Sequence, residues 1–170
     1  MIPVPGAQER AAVRRYRPGD FPVLAALIEA AAAPERSMTA TGLREFLDYP
    51  GYRPEDDLFV APSEDGAGLL GARDVRVTAR GDETVPILES WGMMHPEARP
   101  GGVGPALLVT ATQRAGQIVR ARGRERGIFQ ARCATDDLAS QRLFEAGGLS
   151  QARVLLTILR PTLENLSPAH

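Results

Sequence analysis

Apolar and polar positions recur along this chain with two different periods, and the periods divide it into elements. Ala12 to Tyr16 reads as a short strand ending at Arg17-Pro18-Gly19-Asp20. Asp20 is a good helix N-cap, and Pro22 falls in the first turn, where a missing N–H costs nothing. Phe21, Leu24, Leu27 and Ile28 then recur at helical spacing until Pro34. Thr39 or Thr41 caps a second helix through Leu43, Phe46 and Leu47, which Pro50-Gly51 stops. Leu58 to Ala61 is a brief apolar run closed by the turn Ser63-Glu64-Asp65-Gly66. From Leu69 to Ala79 the period becomes two, with Val75 and Val77 on one face and Arg76 and Thr78 on the other: a half-buried strand. Arg80-Gly81-Asp82-Glu83 makes a hairpin turn into a longer, more apolar strand, Thr84 to Met94. A proline- and glycine-dense segment, Pro96 to Gly104, precedes a helix from Ala106 to Arg122 with Leu107, Leu108, Ala111 and Ala115 along one side. Ile128 to Cys133 is a strand, Leu138 to Ala146 a helix and Arg153 to Leu159 a last strand.

The resulting order, β-α-α-β-β-β-α-β-α-β, predicts a mixed sheet with helices packed on it, of α/β or α+β class. No internal repeat and no long linker divides the chain. Residues 1–170 therefore form one domain, with its core between about 12 and 160 and loosely held ends. A chain of 170 residues removes roughly 70% of its unfolded surface from water and needs no staple.

Composition narrows the function. Twenty basic residues, every one an arginine, face 21 acidic ones for a net charge of −1, which argues against a dedicated nucleic-acid or membrane-surface binder. Arg120, Arg122, Arg124 and Arg126 form the one basic cluster. Its plain reading is a solvated helix end, with cations at the negative dipole terminus; docking of a nucleotide phosphate is the other. A single cysteine, Cys133, precludes an internal disulfide and fits a reducing compartment. Two histidines cannot build a His/Cys zinc site, so no metal is expected. No window approaches 18 uncharged apolar residues, and the start lacks a secretory pattern, so the expected location is the cytoplasm.

The candidate chemistry lies at Arg99-Pro100-Gly101-Gly102-Val103-Gly104, between an apolar strand and a helix. Amides at a helix start lack partners and sit at the positive end of the dipole, and glycines let a ligand approach the main chain, so the turn suits a pyrophosphate. A P-loop needs a Gly-Lys pair, and the chain has no lysine. A dinucleotide fingerprint needs GxGxxG after the first strand of a βαβ unit; here Gly102-Val103-Gly104-Pro105-Ala106-Leu107 ends in leucine and follows the fourth strand.

The stretch Met94-His95-Pro96-Glu97-Ala98-Arg99-Pro100-Gly101-Gly102-Val103-Gly104-Pro105-Ala106-Leu107-Leu108 resembles the acyl-CoA motif of the GNAT superfamily of N-acetyltransferases. That motif leads through R-x-x-G-x-G into a helix with paired leucines. Asp137 to Leu149 resembles the superfamily's N-x-x-A-x-x-L-Y-x-x-x-G-F helix, and Val13 to Asp20 resembles its opening strand and capped helix. A more local likeness, to mycothiol-synthase-like members, lies in Gly148-Leu149…Arg160 and Phe46…Gly51…Asp57-Leu58, although those proteins carry two such domains.

The resemblance implies a mixed, mostly antiparallel sheet flanked by about four helices, and acetyl-CoA or another acyl-CoA as co-substrate. It implies cofactor contacts from Arg99, Pro100, Gly101, Gly102, Val103, Gly104 and Ala106, the main-chain N–H groups among them cradling the pyrophosphate. Gly92 and Met94 would pair with the pantetheine arm, and Asp137 stands where an asparagine often helps hold it. The implied reaction is direct attack of a primary amine, on a small molecule or peptide, upon the thioester. The Met94 amide stabilises the oxyanion and Glu89 is the candidate base, its other reading being a solvent-facing strand glutamate.

Two departures stand out. Pro105 removes one N–H from the anion nest, and Phe144 occupies the place of a tyrosine that gives a proton to the departing thiolate. They leave open a second reading: a CoA-binding sensor or dimerisation module without turnover. Cys133 and His95 read as structural rather than reactive, Trp91 as core or tunnel wall, and Tyr49 and Tyr52 as lining for an acceptor pocket. A homodimer is compatible with the sequence.

Overall fold

Two antiparallel strands, each interrupted once, organise the molecule. The structure is a computed structural model and describes residues 12–31, 40–78, 85–98 and 102–154. Chain order is β1 (Arg14–Arg15), a 3-10 turn at Pro18–Asp20, α1 (Phe21–Ala31), α2 (Ala40–Leu47), the single turn α3 (Pro54–Asp57), β2 (Leu58–Pro62), β3 (Leu69–Asp74) and β4 (Arg76–Thr78). There follow β5 (Ile87–Ser90), β6 (Gly92–Met94), a 3-10 turn at Pro96–Ala98, α4 (Val103–Ala121), β7 (Ile128–Ala131) and α5 (Leu138–Ala146). Mixed α and β with a mostly antiparallel sheet matches the expected class.

The strand expected from Leu69 is split at Val75 into β3 and β4, and its return partner is split at Trp91 into β5 and β6. One half of the sheet runs β1-β2-β3-β6 and the other β4-β5-β7. All pairs are antiparallel except β5 with β7, which run parallel from Ile87↔Ile128 to Ser90↔Ala131. The two breaks face each other, and Asp74 spans them. Its N–H donates to Trp91 O at 2.9 Å, and its Oδ1 accepts the Trp91 N–H at 2.6 Å. A carboxylate thus stands in for a carbonyl where the ladder is interrupted, so no main-chain donor is stranded.

Period-two patterning sends alternate side chains to opposite faces. On one face Leu58, Val60 and Ala72 pack with Leu24, Leu27 and Ile28 of α1 and Leu43 and Leu47 of α2. On the other, Val75 and Leu88 meet Ala111, Ala115 and Val119 of α4, while Phe59 and Ala61 meet Val103 and Leu107. Helix α4 carries its apolar stripe at spacings of three and four, as one sheet-covering face requires.

Several details differ from the sequence expectation. Asp20 does not cap α1 forward. It closes the 3-10 turn by accepting the Arg17 N–H at 2.8 Å and takes a two-pronged contact from Arg14 at 2.7 and 2.8 Å. The strand expected through Cys133 ends at Ala131, and Cys133 is exposed. The hairpin turn at 80–83 and residues 155–159 of the last expected strand lie outside the described residues. Among the described residues no helix is long and apolar enough to cross a membrane.

Candidate functional site

The two halves of the sheet part company at Trp91, and that parting makes the site. Main-chain bonds show which way each residue of β5–β6 faces. Pro86 O accepts from Ile128 N–H on the β7 side, whereas Trp91 bonds Asp74 through both its amide and carbonyl, and His95 N–H donates to Leu70 O. Strand alternation then turns odd positions from 87 to 95 toward β3–β4 and even positions toward β7. Pairing with β7 stops at Ser90↔Ala131, so the N–H and C=O groups of Gly92 and Met94 face an edge with no strand against it among the described residues.

This edge runs directly into the helix start. Met94 Sδ lies 3.9 Å from the position a Cβ on Gly104 would take. Gly102 is the N-cap of α4, and a side chain there would meet nothing within 4 Å. Gly104 is different: its Cβ would lie 3.3 Å from Leu143 Cδ2, so its lack of a side chain serves contact between α4 and α5. The amides of Val103 and Gly104 are first-turn donors without intrahelical partners. The Ala106 amide, expected to join them, is instead spent on Gly102 O at 3.1 Å, and Pro105 has none to give. Arg99, Pro100 and Gly101 lie outside the described residues.

Other nominated residues have local tasks. Asp137 caps α5, its carboxylate accepting from Ser140 N–H at 3.1 Å and from Ser140 Oγ at 2.7 Å. His95 Nδ1 takes the Glu97 N–H at 3.4 Å, closing the 3-10 turn. Burial, and then the Asp137 charge, push the Cys133 thiol up, the opposite of activation. Trp91 packs on the α1/α2 core, and the arginine run begins in the last turn of α4 and continues on exposed chain. Glu89 points to the α1/α2 face, beside Arg76 in register, and its Oε1 accepts from Arg132 at 2.6 Å and Gln130 at 3.1 Å. Tyr49 is 63% exposed, whereas Tyr52 is enclosed with Phe46, ring centroids 5.4 Å apart.

Sequence reasoning missed the charged groups at the strand break. Asp74 is fully buried on the α1/α2 face, where Arg76 Nε lies 2.6 Å from Oδ2. That contact is an ion pair without hydrogen-bond alignment, since both atoms lack a hydrogen-bond partner, as does the Tyr52 hydroxyl. Burial raises the Asp74 carboxyl to about 6 and pushes the Tyr52 hydroxyl well above its ordinary range. On the opposite face lies Arg73, only 7% exposed, with Nη1 donating to Ser90 Oγ at 3.1 Å and its guanidinium 5.3 Å from the Phe144 ring centre. Adjacent charges within the otherwise apolar Leu69–Val75 were the available signal. A hollow of about 640 Å³ beside the start of α1 contains none of the nominated residues.

The sequence matches no family model and no curated protein. Solved structures do resemble the fold. A GCN5-related N-acetyltransferase from Sphaerobacter thermophilus superposes with a TM-score of 0.65 at 21% identity over 82% of this chain; the match spans 43% of that longer protein. A ribosomal-protein-alanine N-acetyltransferase from Brucella melitensis gives 0.59 at 21% identity, covering 81% of this chain and 83% of its own. A Salmonella typhimurium protein solved with its cofactor acetyl-CoA gives 0.54 at 18% identity, covering 82% and 79%. The chain has the fold of the GCN5-related N-acetyltransferases.

Proposed function

We propose that this protein transfers an acyl group from an acyl-CoA to a primary amine. The observation that carries the reading is the free main-chain edge of Gly92 and Met94, abutting the uncapped first turn of α4. An extended arm bearing amides can add to such an edge like another strand, while a diphosphate meets the Gly102, Val103 and Gly104 turn. The residues present fit that ligand: the approach over Gly102 is open and the edge groups have no strand partner among the described residues. The thioester supplies an activated acyl carbon. As the amine nitrogen bonds to that carbon, the C–S bond breaks, sulfur keeps the bonding pair, and the amine's surplus proton passes to a base.

The chain's own tasks follow. With the arm running from the α4 turn along β6, the Met94 N–H expected as oxyanion donor is taken by the arm, and the outward N–H of Gly92, at the acyl end, is the candidate donor. Glu89, on the face away from α4, is the candidate base, acting through the oxygen not committed to Arg132 and Gln130. The acceptor approaches from the α1/α2 face, the side to which Glu89 points.

A second reading, a CoA-binding module without turnover, is favoured by one observation. Phe144, 9% exposed, holds no proton for the leaving sulfur. Calorimetry with CoA tests the first half of the proposal; absence of binding at millimolar ligand removes it. Free-thiol release across a panel of primary amines then separates enzyme from module. Release is expected for at least one amine, and binding without release against every amine favours the module.

A further inference from the structure

Arg73 is a buried cation in need of an anion. Its side chain leaves the central strand β3 on the α4/α5 face, opposite Asp74, and is 7% exposed. A guanidinium has five N–H donors, yet among the described residues its one hydrogen bond goes to a neutral hydroxyl, Ser90 Oγ. No ion pair reaches it among the described residues. The neighbouring carboxylate, Asp74, turns to the other face, where Trp91 and Arg76 engage its two oxygens. Burial accordingly lowers the pKa of Arg73, the mark of a charge short of compensation.

Three features hold this cation at the mouth of the splayed strands. Gly92 is its partner in register, and a Cβ there would sit 2.8 Å from the guanidinium carbon, so the group lies flat across the first residue of the free edge. Phe144 covers it with a ring that offers no acceptor oxygen. Ser90 lies one step beyond, at the last pair with β7. The guanidinium is thus about two strand residues, roughly 7 Å, farther from the α4 turn than Met94 is. With phosphates at that turn and an extended arm along β6, the acyl end of the ligand falls beside Arg73.

We propose that Arg73 binds a carboxylate carried by the acyl group, so that the preferred donor is a dicarboxylic acyl thioester rather than acetyl-CoA. The inference rests on the acyl-CoA reading above. A planar fork of N–H donors matches a carboxylate in two-pronged fashion, and a permanent anion compensates the buried cation throughout the bound state. A tyrosine at position 144 would offer the guanidinium a hydroxyl; phenylalanine leaves its donors to the ligand.

Calorimetry with CoA, acetyl-CoA and succinyl-CoA, on the natural protein and on Arg73→Met and Arg73→Lys, decides the matter. The natural protein is expected to bind succinyl-CoA at least tenfold more tightly than acetyl-CoA. Arg73→Met abolishes that preference while its affinity for CoA itself stays within about twofold, and Arg73→Lys retains part of it. In the ligand-free state Arg73→Met melts no lower than the natural protein, because an apolar side chain needs no counter-ion. Equal affinity for the two thioesters in the natural protein overturns the proposal and leaves the acyl-CoA reading standing. So does a tenfold preference that survives Arg73→Met. Failure to bind CoA at all removes both. Should Arg73→Met fold poorly, the comparison of the two thioesters on the natural protein still decides.

Discussion

At the scale of single residues, the two glycines of the α4 turn separate ligand contact from packing. Gly104 abuts Leu143, so any side chain there disturbs α5 as well as a ligand. Gly102 faces open space with φ −72°, a conformation any residue adopts, at an N-cap position that favours aspartate. Gly102→Asp is therefore expected to change stability by no more than about 0.5 kcal/mol in either direction. It puts a negative charge where the diphosphate is proposed to rest, and CoA affinity should fall at least a hundredfold by calorimetry. Retained affinity with an unchanged melting curve would place the phosphates elsewhere. Glu89→Gln is a cleaner probe of chemistry than of structure, because glutamine keeps an acceptor for Arg132 and Gln130. Turnover should drop about 100-fold, at the low end of general-base effects, with CoA affinity unchanged. A variant with full turnover would restrict Glu89 to orienting Arg132.

Among elements, α5 shows how one helix start answers to two demands. Asp137 satisfies the Ser140 amide and hydroxyl, so Asp137→Ala should cost about 1 kcal/mol in urea unfolding, while Asp137→Asn, another good cap, should cost far less. If the alanine variant melts like the natural protein, the cap contributes nothing. The four longer helices and most strands were legible in the sequence, the single turn α3 not, because periodicity reports which side of an element is buried, and Leu107, Ala111 and Ala115 or Leu24, Leu27 and Ile28 could hardly pack otherwise. The interruptions at Val75 and Trp91 were not legible. They depend on a bond between Asp74 and Trp91, partners 17 residues apart, and no local rhythm encodes that pairing. The anion turn was visible as a glycine motif. The free edge beside it follows only from where β7 stops, and the direction of Arg73 only from which face of β3 position 73 takes. Asp20 illustrates the converse: a good capping residue was recognised, but Arg14 and the Arg17 amide drew its carboxylate backward.

For the molecule as a whole, two buried carboxylates set opposing pH dependences. The hydrogen bonds from Arg14 are the largest influence on Asp20 and hold its carboxyl below 3.8. Its stabilisation is therefore complete above that value and fades as pH falls through the lower folded-state pKa. Asp74 behaves oppositely. Burial is its dominant influence and lifts the carboxyl from 3.8 to about 6, so the folded state holds a proton that the unfolded chain has released. Its contribution is fully present below about 3.8, declines as pH rises through about 6, and is constant above. The shift amounts to about 3 kcal/mol. Asp74→Asn removes this titration while keeping an acceptor for the Trp91 N–H, although its amide meets Arg76 less favourably. The difference in unfolding free energy between natural protein and variant should therefore move in the variant's favour by that amount between pH 4 and pH 8. The change should centre between 4 and 6, and urea unfolding at each pH reads it. A difference that stays constant across the range would mean that Asp74 is ionised throughout, held by Arg76 despite its burial. The clamp across the strand break would then be a permanent ion pair rather than a protonatable one.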